Sequence, residues 1–213
     1  MSFKPEQVAA LKEPLSTAHV RKREQSGRKL DYIEGWHAIA EANRIFGFDG
    51  WTRETLSLTR VSELPRKVGK VNARDGWSVS YMAHVKVTVL AGDRVVVREG
   101  TGTGHGIDVD LGLAHESAAK EAETDAMKRA LMTFGNPFGL ALYDKTQANV
   151  VAPRSAPLEM ALTAARLCKT KAELRSCLAQ NRAGLDPQDA HEFRDACQEM
   201  AASLPEPEQK DAA

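Results

Sequence analysis

Hydrophobic residues recur at helical spacing in three parts of the chain before Pro137. Between Ile33 and Phe46 they return every three or four residues, and Gly47 follows where helices commonly end. An alanine-rich stretch from Leu113 to Phe134 precedes Gly-Asn-Pro, which stops a helix. Residues 5–13 favour a further short helix. The pattern predicts three helices, of which the one over 113–134 is the longest.

The segment between the second and third predicted helices alternates apolar and polar side chains, as strands do. We predict a strand from Trp51 to Val61, a turn from Pro65 to Gly76, and a long hairpin in which residues 77–90 and 94–103 flank Ala-Gly-Asp. Beyond it, glycines at 100, 102, 104 and 106 leave one pleat face bare, so another backbone or a ligand can come close. The expected class is α+β, with an antiparallel β-sheet packed on a long helix.

Composition changes near position 150, where Pro153 and Pro157 interrupt the chain. We predict a domain over residues 1–150, a linker over 151–157, a helical appendage over 158–204 and a frayed tail over 205–213. In the appendage, residues 158–180 and 189–204 are alanine-rich and amphipathic, with a turn between them. This pattern predicts a C-terminal helical hairpin rather than a second globular core.

Charge is balanced over the chain, with 29 lysines and arginines against 29 aspartates and glutamates. No global basic field indicates a nucleic-acid partner, so any site for a polyanion must be local. One local basic stretch runs from Ala18 to Lys29, which contains five basic residues and a single acid, Glu24. We expect this stretch to be partly loop, with Gly27 as its hinge.

No apolar run of the sequence approaches the ~18 residues of a membrane span, and the first residues lack the basic-then-apolar order of a signal peptide. We therefore expect a cytoplasmic protein with no membrane partner. The three cysteines, Cys168, Cys177 and Cys197, lack C-x-x-C spacing, which favours buried or idle thiols over a zinc or redox site.

The sequence carries no motif for a nucleotide cofactor. The glycines at 100–106 fail G-x-G-x-x-G spacing, and no Gly-Lys-Ser/Thr closes a P-loop, so we expect no ATP hydrolysis. A metal-dependent nuclease is the alternative function, because His105, Asp108, Asp110, His115 and Glu116 are chemically suited to a divalent cation. The residues at the start of the third helix have a second explanation, since acids there cap a helix and complement its dipole.

Three strings of the sequence carry a resemblance to a known family: Lys29-Leu-Asp-Tyr-Ile-Glu-Gly35, Ala42-Asn-Arg-Ile-Phe-Gly-Phe-Asp-Gly-Trp51 and Lys120-Glu-Ala-Glu-Thr-Asp-Ala-Met-Lys-Arg-Ala-Leu-Met-Thr-Phe-Gly-Asn136. In this order they resemble the Rad52 family of single-strand annealing recombination proteins, over roughly residues 17–147. The resemblance implies a β-β-β-α core and an ATP-independent protein that binds single-stranded DNA and promotes strand annealing in DNA recombination and DNA repair. It also implies a homo-oligomeric ring, with DNA in a basic groove around its outside.

The short chain looks like a bacterial or phage member of the family. Residues 158–204 lie outside the resemblance. A role of this appendage in docking a replication protein or a single-stranded-DNA-binding protein is compatible with annealing and stays open.

The resemblance places Lys128 and Arg129 on the Lys-Arg pair that lines the family's inner DNA groove. Two adjacent cations on a helix can neutralise phosphates, although Arg129 could instead pair with Asp125 on a solvated helix face. Tyr32 matches a position near the groove, where an aromatic ring stacks on a base or fills the core. Three further candidates for DNA binding are Lys22 and Arg23, which align loosely with a backbone-contacting arginine, and Lys120.

Two departures from the family pattern concern the DNA contacts. Met132 stands where the family has a further arginine, and the segment from Ile107 to Leu111 lacks the lysine that the family often has there. A second, outer DNA-binding surface is therefore in doubt. The basic residues of the predicted turn either substitute for it or only solubilise the turn; they are Arg66, Lys67, Lys70 and Arg74.

Overall fold

The structure is a computed structural model that describes residues 3–25 and 27–204. Contacts between residues divide the chain into two compact units, one up to Val151 and the other from Ala152. Each unit has a hydrophobic core of its own. Within the described residues, no helix is both long and apolar enough to cross a lipid bilayer.

The first unit combines helices with small sheets. Its helices are α1 (Pro5–Lys12), α2 (Gly35–Phe46) and α3 (Leu111–Met132). Its strands are β1 (Leu15–Ser16), β2 (Val20–Gln25), β3 (Arg28–Ile33), β4 (Trp51–Val68), β5 (Arg74–Ala91), β6 (Arg94–Asp108) and β7 (Val150–Val151). β4, β5 and β6 form an antiparallel sheet in sequence order, while β2 pairs with β3 and β1 pairs in parallel with β7. The predicted α+β class and the β-β-β-α order are confirmed.

The basic stretch that was expected to be partly loop is a β-hairpin. β2 and β3 pair from Val20 opposite Ile33 to Gln25 opposite Arg28. Gly27 has φ +75, a conformation that glycine adopts without a steric penalty. The position predicted as a hinge therefore serves the turn of the hairpin.

The β4–β5 hairpin is longer than the sequence pattern predicts. Its pairing continues to Val68 opposite Arg74, so the turn spans only residues 69–73. Pro65 is tolerated inside β4 because β4 pairs with β5 alone, and an edge strand can lack one donor. Arg66 and Lys67 consequently lie on a strand and not in a turn.

Helix α3 lies directly on the glycine-rich end of β6. A Cβ atom built at Gly104 would be 2.0 Å from the carbonyl oxygen of Ala118, and one at Gly106 would be 1.9 Å from that of Ala114. The side chains of α3 on this face are the fully buried alanines at 114, 118, 122, 126 and 130. The bare face of the strand is therefore occupied by the backbone of a helix.

The main core of the first unit lies between α2, α3 and the sheet. The β5 side chains that point to α3 include Val85, Val87 and Val89, which are fully buried. Phe46 of α2 stacks on Phe138 with ring centroids 5.8 Å apart, and thereby fixes the segment that follows α3.

The second unit contains α4 (Ala156–Arg166), α5 (Lys171–Arg182) and α6 (Pro187–Ala201). The single helix predicted over 158–180 is two helices, because the hydroxyl of Thr170 accepts a hydrogen bond from the Glu173 amide at 3.2 Å and caps α5. The helix α4 also begins inside the predicted linker. The predicted frayed tail, 205–213, lies outside the described residues.

The second unit has a globular core where the sequence pattern predicted a hairpin without one. The core residues are Leu158, Ala161, Leu162, Ala165, Leu174, Cys177, Phe193 and Cys197. Burial raises the pKa of Cys197 to about 11, so this thiol stays protonated near neutral pH. Cys197 therefore agrees with the prediction of buried or idle thiols.

Candidate nucleic-acid interface

The β2–β3 hairpin separates its basic residues between two faces. Residues directly opposite in an antiparallel pair share a face, so Arg21 lies with Tyr32 and Arg23 lies with Leu30. Successive residues alternate, which puts Lys22 on the other face. Of the two candidates aligned loosely with one arginine, Arg23 alone lies on the face of Tyr32.

Tyr32 lies between two cations from different elements. The guanidinium carbon of Arg23 is 5.7 Å from the ring centroid, and Nζ of Lys128 on α3 is 5.5 Å from it. Both distances are within the ~6 Å range of a cation–π contact. The half-buried ring therefore contacts one cation from β2 and one cation from α3.

Lys128 is half-buried, and its Nζ donates a hydrogen bond to the carbonyl oxygen of Ile33 at 3.3 Å. Burial lowers the pKa of Lys128 and is the largest influence, Asp125 acts in the opposite direction, and Arg23 lowers the pKa further. One neutral acceptor only partly offsets the free-energy cost of removing the charged ammonium from water. An anion brought to this position would favour the charged form.

Arg129, the next residue of α3, is more exposed. Its Nε donates to Oδ2 of Asp125 at 3.2 Å, and 54% of the side chain is accessible. The pairing with Asp125 that the sequence left open is therefore present. Exposed pairs at this spacing contribute only about 0.3–0.5 kcal/mol, and the guanidinium has further donors for a phosphate.

These residues line an open groove between the β2–β3 hairpin, α3 and the segment after α3. Its volume is about 600 Å³. Two carboxylates at the groove have other partners, since Asp125 pairs with Arg129 and Asp31 accepts a hydrogen bond from Gln147 at 3.1 Å. The remaining lining side chains include Lys29, Leu30, Met132, Phe138, Leu142 and Tyr143. Cations beside aromatic and apolar surface suit a phosphodiester backbone and its bases.

The other candidate residues do not line this groove. Lys120 is 72% exposed and pairs with Glu116 on the same helix. The basic residues predicted as a turn lie around the end of the β4–β5 hairpin, where Lys67 pairs with Asp75 at 2.7 Å. They form a separate exposed group of Arg66, Lys67, Lys70 and Arg74.

The histidines of the alternative metal site point to different partners. The ring of His105 lies between the hydroxyls of Ser78 and Ser80, at 3.3 and 2.9 Å. His115 contacts Glu63 at 3.1 Å. Each imidazole is thus held by its own neighbours on the sheet.

The acids of that alternative site are divided in the same way. Asp110 accepts a hydrogen bond from the Leu113 amide at 2.9 Å and caps α3, as the helix-cap explanation predicts. Asp108 accepts from the Asp110 amide. In residues 3–25 and 27–204 taken together, no three His, Cys, Asp or Glu side chains are placed to hold one metal ion. The structure does not assemble the His105 to Glu116 cluster.

Two groove residues had no signal in the sequence pattern. Tyr143 is 65% exposed and is the last residue of a short 3₁₀ turn, and Gln147 donates a hydrogen bond to Asp31 of the hairpin. Both reach the groove only because the chain folds back after α3.

The fold and the groove together define a class, an α+β protein with a groove lined by cationic, aromatic and apolar side chains. The family model of the Rad52/22 family double-strand break repair protein matches residues 5–158. The chain therefore belongs to this family.

Relatives named DNA repair and recombination protein occur in fungi. The RAD52 protein of Eremothecium gossypii is 40% identical over 140 residues, which cover 64% of this chain and 30% of that protein. The RAD52 protein of Saccharomyces cerevisiae is 38% identical over 138 residues, which cover 63% of this chain and 27% of that protein. The rad22 protein of Schizosaccharomyces pombe is 38% identical over 140 residues, which cover 64% of this chain and 28% of that protein.

The aligned part of this chain spans 30% or less of these three relatives. All three are eukaryotic, so they give no support to the predicted bacterial or phage type. The family match ends at residue 158, and the second unit thus lies almost entirely beyond it.

Proposed function

We propose that this protein binds single-stranded DNA and anneals complementary strands in homologous recombination and repair, without a nucleotide cofactor. The observation that carries the proposal is the groove lined by Arg23, Lys128 and Arg129, in which Arg23 and Lys128 both contact the ring of Tyr32. The names of the fungal relatives support a role in DNA repair and recombination.

The groove residues suit a strand held without regard to its sequence. Arg23 lies on β2, and Lys128 and Arg129 lie on the facing helix, so cations from both walls can contact the phosphates of one strand. Such contacts position the backbone and leave the base edges unread. Pairing of the exposed bases then supplies the free energy of annealing, and no hydrolysis step is required.

We further propose that the active form is a homo-oligomeric ring. One copy offers cations to only a few phosphates, so a long single strand requires many copies side by side. Large apolar side chains on the first unit are available for contacts between copies, since Trp36 is 55% and Phe48 is 87% exposed. Head-to-tail contacts of this kind close into a ring when the rotation between copies permits it.

The test is a fluorescence assay with complementary oligonucleotides and no nucleotide, first in EDTA and then in magnesium. Annealing should proceed in EDTA. Loss of annealing in EDTA, together with shortened oligonucleotides in magnesium, would show that the protein is a metal-dependent nuclease instead.

A single-strand binding assay tests the groove through the variant Lys128→Ala with Arg129→Ala. On a single strand, each phosphate that the protein no longer neutralises lowers the slope of log affinity against log salt by ~0.7, and the effect repeats in every copy of a ring. Alanine keeps the helix propensity of α3, so the variant should fold. Lys120→Ala is the matched control, because it removes a cation from the same helix outside the groove.

Anisotropy over a salt series measures affinity and slope, and circular dichroism checks folding. A folded double variant with the affinity and slope of the wild type would show that both residues belong to a solvated helix face.

A further inference from the structure

The second unit separates its charges by helix. Along residues 156–183, which hold α4 and α5, the bases are Arg166, Lys169, Lys171, Arg175 and Arg182, and the acids are Glu159 and Glu173. Along residues 184–204, which hold α6, the acids are Asp186, Asp189, Glu192, Asp195 and Glu199, and the one arginine is Arg194. A polyanion would be attracted to the first region and repelled by the second.

Three of the bases lie along one side of α5. At ~100° per residue, Lys171, Arg175 and Arg182 fall within about 40° of one another. They extend over about 16 Å of helix. Leu174 and Cys177 point elsewhere, into the core of the unit. We call this side, with the adjacent Lys169, the α5 basic face.

The arginines of the α5 basic face differ from the charges of α6 in their partners. Arg175 and Arg182 are exposed and take part in no ion pair with any residue of 3–25 or 27–204. On α6, by contrast, Glu192 pairs with Arg154 at 2.5 Å, and Asp195 pairs with Arg194 at 3.3 Å. These two arginines of α5 are thus available to an external anion.

The α5 basic face has no means of holding a base. Phe193 is the only Phe, Tyr or Trp of residues 152–204, and it is completely buried. Stacking, which favours single strands in grooves with exposed aromatic rings, is therefore absent here. A duplex keeps its bases inside and carries one charge per ~1.7 Å of axis, so it is the nucleic acid that suits a face of cations alone.

We infer that the α5 basic face is a second nucleic-acid site, which binds the phosphate backbone of duplex DNA independently of sequence. This inference rests on the proposed function in one respect, which is that the first unit holds the single strand. Each copy would then bind a single strand through the groove and a duplex through the second unit. Linking the two sites in one chain raises the local concentration of duplex around a bound single strand.

The test uses the full chain, a blunt duplex of mixed sequence and one of its strands, with anisotropy measured over a salt series. Arg175→Gln with Arg182→Gln should weaken duplex binding about tenfold at low salt and lower its slope by ~0.9 for each phosphate that the variant no longer neutralises. Single-strand binding should change little. Glutamine is a good helix former, and circular dichroism verifies folding.

Two further variants separate the sites. Arg194→Gln removes the same kind of charge from α6 and should leave duplex affinity unchanged. Lys128→Ala with Arg129→Ala should weaken single-strand binding and leave duplex binding in place. If the wild type binds duplex through the α5 basic face but binds no single strand, the proposed function fails and the second site stands.

Two outcomes would overturn the inference. One is a folded Arg175→Gln, Arg182→Gln variant with the duplex affinity and salt slope of the wild type. The other is a change in oligomeric mass without a change in slope, which would show that the α5 basic face contacts a second copy of the chain.

Discussion

Lys128 links the hairpin to the long helix and also faces the groove. Its ammonium is half-buried, bonds to one neutral carbonyl of β3 and lies beside the ring of Tyr32. Burial lowers its pKa, so it loses its proton at a lower pH than a free lysine does. Its charge, and with it any phosphate contact, therefore depends on pH in a range where arginine does not titrate.

Because burial lowers the pKa of Lys128, we expect single-strand affinity to fall as pH rises towards the ordinary lysine pKa of ~10.4, since Lys128 deprotonates in the free protein while a bound phosphate favours the protonated form. In that range binding takes up a proton, so affinity decreases with rising pH. Lys128→Arg should flatten this dependence, since arginine stays charged. Anisotropy at constant ionic strength measures the effect, and an equal pH dependence in both proteins would contradict it.

The groove residues were predictable to different degrees. Lys128 and Arg129 follow from the sequence strings, because a helix keeps adjacent residues in a fixed relation. Lys22 and Arg23 could not be separated, since a shift of one residue in a strand moves every side chain to the other face. Tyr143 could not be predicted at all, because only the fold of the chain after α3 brings it to the groove.

At the scale of elements, the contact between β6 and α3 is the least tolerant of change. Gly104→Ala places a methyl group 2.0 Å from the Ala118 carbonyl oxygen, a backbone atom that cannot rotate away. We expect a loss of about 3 kcal/mol in the free energy of unfolding, the upper part of the usual cost of overpacking. The midpoint of urea denaturation measures the change.

Thr103→Ala is the matched control for this prediction. Thr103 is exposed on the other face of the same strand, opposite Met82, so its replacement should cost less than about 1 kcal/mol. Equal midpoints for the two variants would mean that α3 moves off the strand at little cost.

The elements were predictable where periodicity and stop signals agree. The α2 and α3 helices end close to Gly47 and Gly135 as predicted, because glycine and proline limit them. The β2–β3 hairpin was missed because its charged residues hide the alternation of a strand. The break before α5 was missed because it contains neither glycine nor proline and depends on the cap at Thr170.

For the whole molecule, the division at Val151 predicts that the two units can be separated by function. Removal of residues 154–213 should leave single-strand binding and annealing largely intact, because every groove residue precedes the cut. Light scattering should give both the truncated and the untruncated protein a mass many times that of one chain. The chain of 213 residues has a mass of 23.3 kDa.

Two results would contradict these expectations. Loss of the oligomer on truncation would place the second unit in the assembly. A full-length protein that is monomeric at micromolar concentration and still anneals strands would rule out the ring.

The packing of glycine against alanine between β6 and α3 has a mechanical consequence. In most helix–sheet contacts, long side chains change rotamer and absorb small displacements, but here two backbones touch without such a compliant layer. We therefore expect the sheet and α3, with Lys128 and Arg129, to resist displacement relative to each other. The β2–β3 hairpin meets α3 through softer contacts, the Lys128 hydrogen bond and the ring of Tyr32. If the groove widens when the proposed strand binds, we expect the hairpin to be displaced more than α3.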